Sequence, residues 1–168
     1  TDHEHILGGM ISVSGDSLYH IVLTRNNNVY TIYVNGQFDN NSEPNTNVIW
    51  DNNADIILGK GNPDLINEML DGNLDELGIW NIALPLGSIY TLYVNGTSSN
   101  ANISASNLIA HYNFNAGSGT TLYDHSGNQN HGTIHGATWL ESNCLEIHEN
   151  ANLISFSTLP LHGLNDVP

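Results

Sequence analysis

The chain has 168 residues, of which 17 are acidic and only two basic, Arg25 and Lys60, for a formal charge of −15. So few cations cannot neutralise phosphates or an anionic bilayer, which excludes nucleic-acid binding and polybasic membrane attachment. Charged residues make up 11% of the chain and hydrophobic ones 39%, which reads as an ordered β domain with many polar turns and not as an acidic disordered tail.

Hydrophobic periodicity along the chain is mostly two. Leu18–Arg25 and Val29–Val34 are rich in β-branched and aromatic residues. Asn26-Asn27-Asn28 between them tolerates left-handed backbone angles, so the pair predicts a β-hairpin. In its second strand Tyr30, Ile32 and Val34 share one face, assigned to the core. Asn35-Gly36 predicts a tight turn into Gln37-Phe38. A polar loop follows, then strands at Val48–Trp50 and Asp55–Leu58 and another loop over 59–64. Gly72–Trp80 is a further predicted strand. Pro85–Tyr93 predicts one or two turns of helix, because proline's missing N–H costs least in a first turn.

Asn95–Asn107 is small, polar and nearly charge-free, and reads as a linker. Beyond it Leu108–Asn113, Gly132–His135, Cys144–Ile147 and Leu153–Phe156 read as short strands. Such strands with turn signals between them predict an all-β fold, a two-sheet antiparallel sandwich or jelly roll with one short helix. YTIYVNG at 30–36 nearly repeats YTLYVNG at 90–96, but the flanking residues differ and the match is read as coincidence. The lone Cys144 sits in a strand-like run and reads as a buried small hydrophobe. No run approaches the ~20 apolar residues of a membrane span. Thr1 in place of Met reads as a processed or excised start.

Candidate chemistry concentrates in Asp124-His-Ser-Gly-Asn128-Gln-Asn130-His-Gly132. Side-chain oxygens at alternating positions of a Gly-containing loop suit a hard cation such as Ca²⁺, while the same residues also suit plain Asx-turns. Both readings stay open. Asp71-Gly-Asn73-Leu-Asp75 opens like an EF-hand loop, but Glu76 and Ile82 stand where that loop needs Gly and Glu. His125, His131 and His135 lack a zinc spacing and read as solvated loop residues. Glycoside hydrolysis needs two carboxyl groups at ~5–9.5 Å. Adjacent Asp75 and Glu76 point to opposite strand faces, and no nucleophile elbow or phosphate loop is present. The chain reads as no enzyme. For a sugar, Trp50, Trp80, Trp139, Tyr112 and Tyr123 are the available ring faces. Trp80 reads as core, and Trp50 with Asn52 as the exposed ligand-binding pair.

Five runs together resemble the laminin-G-like, concanavalin-A-like lectin/glucanase family. They are LYHIVLTRNNNVYTIYVNGQ (18–37), NADIILGKGN (53–62), LDGNLDELGIWNIALPLGSIYTLY (70–93), NFNAGSGTTLYDHSGNQNHGTI (113–134) and CLEIHENANLISFSTLPLHGLNDV (144–167). The order is shifted: the first three resemble the close of a family module and the last two its opening. The resemblance therefore implies that 1–95 is the C-terminal portion of a sandwich and 96–107 a linker. It makes 108–168 the N-terminal portion, of the same permuted module or of the next one. It carries structural calcium onto Asp124, Asn128, Asn130 and Gly132, with Asp75 facing the same loop. The family's E-x-D-x-E catalytic strand is missing here. What is implied is a secreted or cell-surface, non-catalytic recognition and adhesion module, one unit of a repetitive protein, binding glycan or an extracellular protein. The alternative is a structural subunit of an extracellular filament, self-associating by exchange of half-sandwiches between neighbouring copies.

Overall fold

The computed structural model describes residues 15, 17–44, 55–60, 70–95, 105–141, 144–147 and 153–156. The chain divides into two compact units, one comprising 1–50, 81–103 and 163–168 and the other 51–80 and 104–162. The predicted strand Val48–Trp50 lies outside the described residues, as does most of the linker.

In the first unit β1 (Ile21–Asn26), β2 (Val29–Val34) and β3 (Gln37–Asn41) form an antiparallel sheet in that order. The hairpin closes as predicted, with Asn26 opposite Val29 and Asn27 and Asn28 at φ of 47° and 62°. Two successive left-handed residues make the turn whose twist matches the strands, and asparagine tolerates that geometry. Asn35 and Gly36 repeat the device at φ of 50° and 75°. A Cβ on Gly36 would lie 3.1 Å from Tyr93 and 3.2 Å from Tyr90, so the turn fits closely against helix α1 (Leu86–Asn95). Pro85 precedes α1, and its carbonyl accepts from the N–H groups of Ser88 and Ile89. Ile89 and Leu92 form the helix's buried side. Of the predicted core face of β2, Val34 is buried and Ile32 and Tyr30 are half-buried.

The second unit holds β4 (Ile56–Leu58), β5 (Gly72–Leu74), β6 (Leu77–Trp80), β7 (Leu108–Tyr112), β8 (Thr121–Leu122), β9 (Gly132–His135), β10 (Thr138–Leu140), β11 (Cys144–Ile147) and β12 (Leu153–Phe156). Its sheets run β10-β11-β5, β4-β12-β9-β8 and β6-β7, with every pairing antiparallel. The predicted strand 72–80 is split because Glu76 takes a φ of 54°, a left-handed angle that breaks the pleat.

Strands from either side of the linker pair with each other: β6 with β7, β5 with β11, and β4 with β12. Their inward faces meet in one core. Ala110, Tyr112, Phe114, Leu122, Ile134, Leu145, Ile154 and Phe156 are buried, and Ile56, Leu58, Leu74, Leu77 and Ile79 pack against them. Each large side chain so buried contributes about 1.5–3 kcal/mol, and both portions of the chain supply them. Cys144 is buried, as its strand context predicts. Trp80 is half-buried and lies over Gly78, where a Cβ would come within 2.3 Å of the indole.

Candidate functional site

The segment between β8 and β9 is stitched to β7 by side chains. Asp124 is buried, and its Oδ1 accepts from the N–H of His111 at 2.9 Å and of Ser126 at 2.8 Å. Its Oδ2 accepts from the N–H of Asn130 at 2.9 Å and lies 2.8 Å from the Ser126 hydroxyl. That hydroxyl is also 3.1 Å from the Ile109 carbonyl, and its single proton serves one of the two. The Asn128 amide donates to the Leu108 and Ile109 carbonyls at 2.9 and 3.0 Å, and the Asn130 amide to Ile109 at 2.9 Å. The Tyr112 hydroxyl donates to the Asn130 carbonyl, and the His125 N–H to the His111 carbonyl at 2.7 Å. β7 has β6 on one side; the loop supplies hydrogen-bond partners that a further strand would otherwise provide.

Burial alone raises the Asp124 pKa, but the hydrogen bonds from His111, Ser126 and Asn130 outweigh it and hold the carboxyl below its ordinary value. Burial, with Asp124 nearby, pushes the Tyr112 hydroxyl up, so it stays a donor. The Asp124 N–H donates to Nδ1 of His131 at 3.0 Å, which places that imidazole's proton on Nε2 in its neutral form.

The fit to calcium follows from these contacts. Ca²⁺ takes six to eight oxygens, with carboxylates foremost. An ionised carboxylate has about four acceptor positions, and the two Asp124 oxygens already face two donors each. Asp124, Asn128 and Asn130 are brought together, and the amide nitrogens of both asparagines donate to β7 carbonyls, bonds that do not use their side-chain oxygens. Gly132 opens β9 against Phe156, where a Cβ would lie 2.5 Å from the ring. Asp75 is exposed between β5 and β6, and burial followed by the Glu76 charge raises its pKa. Among the described residues no three His, Cys, Asp or Glu side chains form a metal-holding group. As folded, the loop's one carboxylate already accepts from three backbone N–H groups. Millimolar calcium or excess chelator is therefore expected to leave the melting temperature within about 1 °C of the untreated protein, since only a ligand bound by the native state raises it. A calcium-dependent rise of several degrees would contradict the saturated carboxylate.

Of the predicted ring faces, Trp50 lies outside the described residues together with Asn52. Tyr112 is buried in the core. Trp139 is half-buried and its indole N–H donates to the Gly119 carbonyl at 2.8 Å. Tyr123 is 52% exposed, and its ring stands edge-on to His131 at 5.4 Å between centroids. The sequence reading missed the pair between His111 Nε2 and Glu76 Oε2 at 3.2 Å, since residues 35 apart carry no local signal. It also missed the exposed rings of Tyr90 and Tyr93 on α1; the 3.6-residue period sets Tyr90 well round the helix from the buried Ile89 and Leu92, and Tyr93, four residues after Ile89, at the border of the buried side.

A laminin-G-type family profile, described as the concanavalin A-like lectin/glucanases superfamily, matches residues 4–90, just over half of the chain. The chain belongs to this superfamily. No curated protein and no solved structure matches it. The mostly-β, antiparallel architecture, with one short α-helix among the described residues, is consistent with the superfamily's β-sandwich. Laminin-G-type domains generally bind glycans or proteins and are typically extracellular, and the wider superfamily includes both non-catalytic members and glycosidases. No described helix is long and apolar enough to cross a membrane.

Proposed function

We propose that the chain is a non-catalytic recognition module of a secreted or cell-surface protein, binding glycan or an extracellular protein at the rim of the 123–131 loop. One observation carries this reading: the loop exposes the Tyr123 ring beside His131 while its buried carboxylate accepts from three backbone N–H groups that hold the loop. Hydrolysis of a glycosidic bond needs one carboxyl as proton donor and a second as base or nucleophile. Asp124 is surrounded by donors and held ionised, and Glu76 is engaged with His111. Exposed tyrosine supplies an apolar face for a sugar ring with a polar tip beside it. A formal charge of −15 repels sulfated and sialylated ligands, which favours neutral glycans.

The test is an array of neutral and acidic oligosaccharides, read with the native chain and with Tyr123→Ala. Neutral ligands are expected to bind, and the variant to weaken them by about tenfold, the equivalent of one lost ring contact. Binding confined to acidic glycans, or release of free sugar, would overturn the reading. The filament alternative requires half-sandwiches to be exchanged between copies. Pairing of β4, β5 and β6 with β12, β11 and β7 inside one chain supports instead a module that completes its own core in permuted order.

A further inference from the structure

The sheet β4-β12-β9-β8 turns one face to the core and the other to solvent. Leu122, Ile134, Ile154 and Phe156 are buried, and Ile56 and Leu58 pack against them. Successive side chains of a strand point to opposite faces, so the residues between these point outward. The register sets four of them in one row across the sheet. Thr121 is opposite Thr133, Thr133 opposite Ser155, and Ser155 opposite Ile57. On one side of that row, His135 Nε2 lies 3.0 Å from the Ser155 hydroxyl. On the other, the β8–β9 register continues to Tyr123 opposite His131, whose rings stand 5.4 Å apart. His131, Thr133 and His135 are all exposed. β9 therefore carries an open line of side chains about 13 Å long, at about 3.3 Å per residue, that begins beside the Tyr123 ring.

The chemistry of this line is uncharged. None of the four strands contains Asp, Glu, Lys or Arg, in a chain whose formal charge is −15. Serine and threonine hydroxyls both donate and accept, and a neutral imidazole has one nitrogen for each role. His131 takes the Asp124 N–H at Nδ1, which leaves its Nε2–H as a donor. A sugar hydroxyl also donates and accepts, so it matches these groups in either sense. A carboxylate or sulfate would find no cation among them. A protein partner is favoured by an aromatic or apolar centre, whereas the centre here is Thr133, between Ser155 and Thr121. The apolar Ile57 and Leu153 stand on β4 and β12.

We propose that this outward face is an extended subsite for an uncharged oligosaccharide. One sugar ring stacks on Tyr123 beside His131, and the following rings run along β9 over Thr133 to the His135–Ser155 pair. The proposal rests on the reading that the 123–131 loop binds glycan. It adds the class of ligand, a neutral chain of several sugars and not a single terminal one.

Titration calorimetry with unbranched glucose, galactose, mannose and xylose oligosaccharides, from mono- to hexasaccharide, tests this. In a series that binds, the hexasaccharide should bind at least about tenfold more tightly than the monosaccharide, through the added hydrogen bonds. Thr133→Val keeps the β-branched shape and removes the hydroxyl, and should weaken the hexasaccharide about fivefold. Thr133→Lys fills the middle of the face and should reduce the hexasaccharide to the affinity of the monosaccharide, while circular dichroism stays native. Thr138→Lys, the same change at an exposed position of β10, should leave both affinities unchanged. Suppose that sugars bind and Tyr123→Ala weakens them, but mono- and hexasaccharide bind alike or both Thr133 variants bind as the native chain does. The loop reading then stands and the extended subsite is overturned. Loss of binding in Thr138→Lys would also overturn it. No binding by any series overturns both the subsite and glycan recognition at the loop. If Thr133→Lys loses its fold, Thr133→Val and the length series decide.

Discussion

Asp124→Asn is expected to destabilise the fold by about 1–3 kcal/mol. The substitution keeps the shape of the side chain and replaces one acceptor oxygen by a donor. Turned one way, the NH₂ group faces the N–H groups of His111 and Ser126; turned the other way it faces the Asn130 N–H, while the Ser126 hydroxyl accepts from it by giving its own proton to the Ile109 carbonyl. A buried donor left without an acceptor costs about 1–3 kcal/mol, and bonds to a charged acceptor are the stronger ones. Urea denaturation gives the loss directly as a shifted midpoint at constant slope. A loss under about 1 kcal/mol would mean that the hydrogen bonds do not hold the loop.

The same carboxyl sets an acid limit. Its folded pKa lies below the ordinary 3.8, so the unfolded chain takes up the proton first as pH falls. The stabilisation is fully present above the ordinary value and is lost as pH drops through the depressed one. The native chain should therefore lose stability steeply below about pH 4, the ordinary carboxylate range, and Asp124→Asn should do so less steeply over that window.

Gly132→Ala is the second large effect, about 1–3 kcal/mol, the usual range for a methyl forced into a filled core. The added Cβ would lie 2.5 Å and 2.8 Å from two ring carbons of Phe156. That ring is 2% exposed and packs against Tyr112 at 4.9 Å between centroids, so it has little room to yield. Combining the change with Phe156→Leu should recover part of the loss, and a double-mutant cycle measures the coupling. The result also separates two roles for this glycine. A backbone carbonyl serving a metal survives substitution by alanine, whereas a close approach to an aromatic ring does not.

Much of the fold was legible because turn chemistry and alternation are local. Asn26-Asn27-Asn28 and Asn35-Gly36 announce left-handed turns, and the short apolar runs at 132–135, 144–147 and 153–156 give the strands as observed, with burial alternating in the first and last. β8 and β10, at two and three residues, are too short for a period to register. The break at Glu76 went unseen because a positive φ at a glutamate has no composition signal. In the loop, Asp124 followed two residues later by Ser126 is the Asx-turn pattern, and the Ser126 N–H bond to Oδ1 realises it. What sequence spacing does not contain is the partner strand. The donors from His111 and the acceptors at Leu108 and Ile109 come from 13 to 20 residues upstream. Without them, alternating Asp and Asn oxygens resemble a cation site, and with them they form a latch.

That the chain completes one core from its own two portions is tested most directly by nuclear Overhauser contacts across the joining pairs. Leu58 with Ile154, and Leu74 with Leu145, are opposed in the register. In a dilute sample both contacts should appear within a single molecule, and should be absent from an isotope-filtered experiment on mixed labelled and unlabelled chains. Contacts seen only between molecules, or not at all, would contradict a self-completed sandwich.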